Sequence, residues 1–225
     1  ADNVYDLTVT ASDGTRTVNQ AIAVTVTAVN EFSPVFTSAA TANFAENGTG
    51  TIISVQATDA DLPTATLTYS ISGGVDAAKF AIDSATGALT FVSAPNFEAP
   101  TDSGANNVYN VQVTASDGTN STNQALAITV TAVNDNDPVI TSAAAVNFAE
   151  NATGTVIDVN ATDADLPAQT LTFSITGGAD AARFAINATT GVVTFVSSPN
   201  FESPTDVGAD NVYDLTVTAS DGTRT

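Results

Sequence analysis

Apolar and polar residues alternate along most of the chain in short segments, as in residues 109–114 (YNVQVT) and 126–130 (LAITV). A period of two places one face of a strand in a core and the other in solvent. Turn signals such as Asn47-Gly48 and Asp117-Gly118 separate the segments. Seven short strands with no long helical pattern predict an all-β fold of seven-stranded Greek-key β-sandwiches, placed end to end. In residues 31–134 we expect them near 36–46, 51–58, 66–72, 79–83, 88–92, 107–116 and 122–132.

The pattern repeats itself at a spacing of 104 residues, at which Phe44-Ala45-Glu46-Asn47 returns as Phe148-Ala149-Glu150-Asn151. Residues 1–17 are in addition identical to residues 209–225, two repeats further on. A repeat of this length is a whole domain. We therefore expect a section of a longer array: residues 1–30 are the last two strands of a repeat, 31–134 a complete repeat, and 135–225 a repeat lacking its last strand.

The amino-acid composition excludes several kinds of functional site and of binding partner. The chain has no Cys, His, Met or Trp, which excludes disulfides, thiol nucleophiles, Cys/His zinc sites and imidazole bases. Its net charge of −20, with four cationic residues, makes nucleic acid and anionic membranes poor partners. No apolar run reaches the ~18 residues of a membrane span. Carboxylates such as Glu98 and Asp102 could serve acid–base catalysis, but they recur in the repeats, and arrays repeat structure more readily than active sites. We predict that the chain is not an enzyme.

A dense run of acidic and amide side chains, residues 132–138 (AVNDNDP), joins the two long repeats. Carboxylate and amide oxygens are the ligands that Ca²⁺ prefers, and the closing proline stiffens the exit of the chain. Without a cation, clustered carboxylates repel one another. The run therefore predicts a calcium-stiffened joint between two all-β domains.

Five motifs in order resemble cadherin repeats, of the bacterial tandem-array kind found in large surface adhesins. They are a glutamate after the first strand, an Asn-x-Glu in place of Asp-x-Glu, the acidic linker before proline, an Asp-x-Asp, and Ala-Ser-Asp-Gly. The likeness covers essentially the whole chain. In order, the motif residues are Glu46 or Glu150, Asn96 and Glu98 or Asn200 and Glu202, the linker 134–138, Asp59 and Asp61 or Asp163 and Asp165, and Asp117 or Asp221.

The resemblance implies Ca²⁺ between domains, with several ions in a complete junction. The ligands that it implies for the one complete junction are Glu46, Asn96, Glu98, Asn134, Asp135, Asn136, Asp137, Asp163, Asp165 and Asp221. A partial first junction, whose linker departs from the pattern at Glu31 and Phe32, would use Asn30, Glu31, Asp59, Asp61 and Asp117. Half of a following junction would use Glu150, Asn200 and Glu202.

The function implied is an extracellular, calcium-dependent structural or adhesive segment, secreted or on a cell surface and bacterial in origin. Its expected partners are neighbouring repeats of the same chain, a second copy bound head to tail, or a polysaccharide. Two alternatives stay open: a carbohydrate-binding module, and a filament subunit that assembles by strand complementation. Tyr5, Tyr109 and Tyr213, at equivalent positions, could form a sugar platform, although core packing is the expected role.

Overall fold

The computed structural model of the protein describes residues 3–225, which form an all-β structure as predicted. By their contacts they divide into two units: residues up to Pro95 with Thr101–Thr129, and Asn96–Pro100 with Val130–Thr225. The only helices among the described residues are two single 3-10 turns, Ala77–Lys79 and Ala181–Arg183, and neither has the length of a membrane span. The strands up to the second unit are β1 (Val4–Ser12), β2 (Thr17–Thr25), β3 (Val35–Phe36), β4 (Thr41–Ala45), β5 (Thr51–Ser54), β6 (Ala57–Thr58), β7 (Thr68–Gly73), β8 (Phe80–Ile82), β9 (Ala88–Phe91), β10 (Val108–Ser116) and β11 (Ser121–Thr131). Those that follow are β12 (Val139–Ile140), β13 (Thr155–Asp158), β14 (Ala161–Thr162), β15 (Thr172–Gly177), β16 (Phe184–Ile186), β17 (Val192–Phe195) and β18 (Thr216–Ser220).

The first unit contains a four-stranded sheet in the order β4-β11-β10-β7 and a three-stranded sheet in the order β5-β9-β8. β10 pairs antiparallel with both β7 and β11, and the β10–β11 hairpin runs from the pair Val108–Thr129 to the pair Ser116–Ser121. The β1–β2 hairpin has the same register 104 residues earlier, from Val4–Thr25 to Ser12–Thr17. The period seen in the sequence is therefore a period of the structure.

The strand predicted at 36–46 is two strands in different sheets. β3 pairs with β6, whereas β4 lies beside β11. The chain leaves the first sheet at Ser38, because Thr37 N and Ser38 N both donate to Gln56 O, at 2.8 and 3.3 Å, and Ser38 Oγ accepts from Gln56 N. The prediction at 51–58 divides into β5 and β6 for the same reason. At this break a side-chain hydrogen bond takes the place of the backbone pairing between strands. The alternation of apolar and polar residues continues through it, so the sequence pattern did not reveal the break.

Aromatic rings fill the core of the first unit. The Phe91 ring on β9 lies 5.1 Å from the Tyr109 ring on β10 at an interplanar angle of 83°, and 4.7 Å from Phe80. Tyr109 is 1% exposed, and its hydroxyl accepts a hydrogen bond from Thr101 N. Tyr109 therefore has the core role, whereas the equivalent Tyr5 is 64% exposed. Gly87 has a φ of +69°, and a Cβ there would lie 2.1 Å from the Val55 carbonyl oxygen, so only glycine fits this turn.

The second unit repeats this plan with the sheets β12-β14, β13-β17-β16 and β15-β18. The rings of Phe195 and Tyr213 are again 5.1 Å apart, at 85°. In the described residues no strand pairs with the second edge of β18, whereas its counterpart β10 has β7 on one side and β11 on the other. The buried core residues of this unit are Val159, Phe173, Phe184, Val193 and Ala219.

Several buried carboxylates hold loops rather than face a cleft. Asp76 is 3% exposed, and its oxygens accept from Ser103 N at 2.7 Å and Asn110 N at 2.8 Å. Asp102, considered above for acid–base chemistry, is also buried and accepts from the backbone N–H groups of the loop that follows it, including Asn107 N. Such bonds stabilise a buried carboxylate that would otherwise be costly. Asp102 has a structural role.

Candidate metal centres

Three carboxylates of the first unit converge at one end of the repeat. Asp59 and Asp61 come directly after β6, and Asp117 lies in the tight turn between β10 and β11. One carboxylate oxygen of each lies within 4.8 Å of the others. We call these three residues the first triad.

The linker that enters the repeat is fastened to this triad. Asp61 accepts from the backbone N–H groups of Glu31, at 3.3 Å, and Phe32, at 3.0 Å. The Asp61 N–H itself donates to Asp59 Oδ1 at 2.8 Å. One buried carboxylate therefore sets the path of residues 30–34, because it holds two consecutive linker amides.

The side-chain amide of Asn30 lies against the first triad. Its side-chain oxygen accepts from Asn120 Nδ2 at 2.7 Å. Turning the amide over would put its nitrogen 3.0 Å from Asp117 Oδ2 and 3.2 Å from Asp61 Oδ2. In that orientation the Asn30 amide would donate to both carboxylates, so Asn30 is a hydrogen-bonding neighbour of the first triad.

The second unit carries the same arrangement, the second triad, in Asp163, Asp165 and Asp221, again with carboxylate oxygens within 4.8 Å. Asp165 is only 1% exposed. Asp163 and Asp165 follow β14, and Asp221 lies in the turn after β18. The Asp-x-Asp and Ala-Ser-Asp-Gly motifs are therefore brought together in both repeats.

The second linker is held more densely than the first. Asp165 accepts from the N–H groups of Asp135 and Asn136 and from the Asn136 side chain, the last at 2.8 Å. Asn136 Nδ2 also donates to Asp135 Oδ1 at 2.8 Å. Phe32, which stands where Asn136 does, donates to Asp61 from its backbone but has no side-chain amide with which to add further bonds.

Some oxygens of these sites are buried without a hydrogen-bond donor. Asp59 Oδ2 and Asp163 Oδ2 each have no hydrogen-bond partner, although the Oδ1 atom of the same carboxylate accepts a backbone N–H. Asn134 Oδ1 is likewise buried without a partner, while Asn134 Nδ2 donates to Gln169 at 2.6 Å. A buried acceptor left unpaired costs roughly 1–3 kcal/mol. A bound cation would supply the missing partner.

Three acids of the triads, Asp117, Asp165 and Asp221, have a pKa below the usual value. Burial acts against ionisation of Asp117, but N–H donors from Asn120 and Thr119 outweigh it and hold the pKa below its usual 3.8. Burial likewise opposes ionisation of Asp165, yet hydrogen bonds from the Asn136 side chain and the linker backbone lower its pKa. The backbone N–H of Arg224 is the main cause of the lowered pKa of Asp221. Several negative charges therefore face one another at neutral pH.

The family profile described as Cadherin domain matches residues 40–133 and 144–225. The chain belongs to the cadherin family. It is 36% identical over 207 residues to Protocadherin Fat 4 of Mus musculus, covering 88% of this chain but 4% of that protein, and 41% identical over 76 residues to Halomucin of Haloquadratum walsbyi, covering 33% of this chain and 1% of that protein.

Solved cadherin structures share the fold. A protocadherin gammaB7 EC3-6 cis-dimer structure matches with a TM-score of 0.65 and 22% identity, over 96% of this chain and 54% of that one. Mouse cadherin-23 EC22-24 matches with a TM-score of 0.60 and 25% identity, over 97% of this chain and 69% of that one. The tandem sandwiches described above are thus tandem cadherin repeats, the type of domain present in extracellular adhesion proteins.

Three predicted ligands of the complete junction lie outside the two triads and the linker: Glu46, Asn96 and Glu98. Asn96 Oδ1 accepts from Ala99 N at 2.7 Å, and Glu98 Oε1 accepts from Leu166 N at 3.1 Å within the second unit. Glu46 is buried in the first unit, at 3% exposure. That these residues join the second triad in one complete junction stays a prediction.

The predicted half-site is local to the second cadherin repeat. Glu150 Oε2 accepts from Phe201 N at 3.0 Å, which places this glutamate against the loop that carries Asn200 and Glu202. Asn200 Oδ1 accepts from Glu202 N and Ser203 N, at 2.9 and 3.1 Å. The loop is therefore shaped by its own asparagine, as is the loop of Asn96.

Three contacts at the centres were not expected from the sequence. Gln169 holds Asn134, Asn120 holds Asn30, and Arg224 reaches Asp137 of the second linker at 2.6 Å. None of the three contact residues belongs to a cadherin ligand motif. The signal that could have revealed Asn120 and Arg224 is their common place in the repeat, two residues after the Asp-Gly of each turn.

Proposed function

We propose that this chain is a segment of a long extracellular rod, in which Ca²⁺ bound at the linkers between cadherin repeats stiffens a surface adhesin or matrix protein. A bacterial origin, and a role in adhesion or biofilm, are part of the proposal. The observation that carries it is the pair of triads, each of which combines ionised carboxylates with a linker held on its buried aspartate.

The donor set suits calcium among the biological cations. Every candidate ligand is a carboxylate, an amide or a backbone carbonyl oxygen, and Ca²⁺ takes six to eight such oxygens in flexible geometry. Mg²⁺ demands a tighter octahedron and keeps several waters. The donorless oxygens of Asp59, Asp163 and Asn134 are the best candidates to contact an ion directly.

Mechanistically, the linker and the triad act together. Asp61 and Asp165 orient the linker amides, and this leaves their neighbours Asp59 and Asp163 with an oxygen free for a ligand. A bound Ca²⁺ supplies the positive charge that these sites otherwise lack. Neutralising the mutual repulsion removes the force that would spread the linker and the turn apart. Stiffness then depends on the calcium concentration around the cell.

Small-angle X-ray scattering tests the proposal. The chain is measured in EDTA, in millimolar Ca²⁺ and in millimolar Mg²⁺, beside a variant with Asp61→Asn and Asp165→Asn. We expect a longer and more sharply defined maximum dimension in calcium alone, and no response in the variant. A wild-type profile that ignores calcium would reject the joint and leave the acids as solvating groups.

A second candidate, self-association by strand complementation, has an observation of its own. The β1–β2 hairpin exposes Leu7 and Val9, at 44% and 49%, whereas their counterparts Val111 and Val113 are buried. β18 has the same sequence as residues 8–12 of β1. β2 of a second copy therefore fits the open edge of β18 in the register of the β1–β2 hairpin. Sedimentation velocity decides this case, since a chain that stays monomeric over a wide concentration range does not exchange strands.

A further inference from the structure

Arg224 ties the last turn of the second unit to its linker. Its Nε donates to Asp137 Oδ1 at 2.6 Å, across 87 positions of sequence. The Arg224 backbone is fixed at the same time, because its N–H donates to Asp221 Oδ1 at 2.6 Å and its carbonyl accepts from Ser220 Oγ at 2.8 Å. A rigid turn that already belongs to the second triad therefore carries the guanidinium.

In the first unit the corresponding contact between the turn and the linker is made by uncharged groups. Asn120, the counterpart of Arg224, donates from Nδ2 to Asn30 Oδ1 at 2.7 Å and to Phe32 O at 2.9 Å. Ser33 stands where Asp137 does. The two repeats thus differ at both positions. The first has the neutral Asn120 and Ser33, and the second has the charged Arg224 and Asp137.

The exchange keeps the charge around the two triads equal. Asp137 is an extra carboxylate relative to the first linker, and Arg224 is an extra cation relative to its turn. Each region therefore has a formal charge of −4. The first region comprises Glu31, Asp59, Asp61 and Asp117, and the second comprises Asp135, Asp137, Asp163, Asp165, Asp221 and Arg224.

We propose that Arg224 and Asp137 form a metal-independent latch, which holds the second linker on the turn before any ion binds and keeps Asp137 out of the calcium ligand set. The second half of this statement rests on the proposed function, and the first half does not. The first unit has no charged latch, so its linker depends more on the ion.

The latch is an exposed ion pair, with side chains 40% and 60% accessible, and this bounds its strength. Pairs of this kind change a local opening equilibrium by about two- to fivefold and are weakened by salt. Asp135 and Asp165 add attraction for the same guanidinium. The expected effect is therefore modest, local and sensitive to ionic strength.

Amide hydrogen exchange of the whole 225-residue chain in EDTA at low salt tests the latch. We expect Arg224→Asn, which installs the residue of the first repeat, to speed exchange at residues 134–137 about two- to fivefold. Arg183→Asn removes the same charge from an exposed site in the same unit and should change nothing. In 1 M NaCl the wild type should approach the variant. Equal exchange of wild type and Arg224→Asn at low salt would overturn the latch.

Calcium titration of the charge-neutral double variant Asp137→Asn/Arg224→Asn tests the ligand set. The affinity of the second unit should stay within about threefold, whereas loss of a ligand costs about tenfold or more. A tenfold loss would make Asp137 a ligand and reject that half of the inference. A wild type that binds no calcium would reject the proposed function, while the exchange experiment in EDTA would still judge the latch.

Discussion

Asn136 donates to Asp165 from both its backbone and its side chain, at 3.2 and 2.8 Å, and so binds the middle of the linker to the most buried acid of the second triad. The corresponding Phe32 donates to Asp61 from its backbone alone. The second linker therefore has a side-chain hold on its buried aspartate that the first lacks.

Asp165→Asn should weaken calcium binding by the second unit about 10- to 100-fold, because the change removes a charge and places an amide donor against the donors of the linker. Isothermal titration calorimetry measures the loss. Asp158→Asn, at an exposed position on β13 of the same unit, serves as the control and should bind as the wild type does. Equal affinity of the two variants would remove Asp165 from the site.

Asp59→Asn should have opposite effects with and without calcium. The Asp61 N–H keeps its acceptor, since Asn also has an Oδ1, while the donorless Oδ2 is replaced by an N–H₂ group that can donate to a neighbouring carboxylate. In EDTA we expect a gain of about 1 kcal/mol from relieved repulsion, or a Tm higher by about 4–8 °C. In millimolar calcium the variant should lose that advantage.

Thermal denaturation in the two buffers measures both effects, and Asp163→Asn is the matched change in the second unit. A variant destabilised in EDTA would show that the triads are not under electrostatic strain without metal.

Lowered pKa values of Asp117, Asp165 and Asp221 predict how stability depends on pH. A group whose pKa is lower in the folded chain contributes stability that is present above its unfolded value and lost as the pH falls through the folded one. We therefore expect the calcium-free chain to lose stability below about pH 4. Urea titrations between pH 2 and 6 measure this, and Asp221→Asn should flatten the curve. An unchanged slope in that variant would contradict the assignment.

Asp180→Ala should destabilise the second unit by about 1–3 kcal/mol, because Val207 N and Asp214 N would lose their acceptor inside the protein. Urea unfolding measures the loss, with Asp158→Ala at an exposed site as the control. Calcium affinity should stay within about twofold, since Asp180 is not part of the triad. A large loss of affinity would mean that this loop and the triad are coupled.

The sequence predicted the fold and the members of both triads, because strand alternation and the cadherin motifs are local in sequence. It did not show that the strand at 36–46 divides at Ser38, since side-chain bonds to Gln56 leave no trace in the alternation. The linker motif predicts Asp137 as a ligand, which stays a prediction, but it does not indicate the contact of Asp137 with Arg224. A contact across 87 positions has no local signature.

The tie between Asn30 and Asn120 spans 90 positions of the chain, and the triad beside it draws on the same distant segments. An ion held there would close a loop of nearly a whole repeat, which removes conformations from the unfolded chain as a disulfide of the same span does. The chain has no cysteine. Its long-range cross-links would then depend on the ionic medium and not on redox conditions, would be fully reversible, and would be available at the end of each repeat that carries a triad.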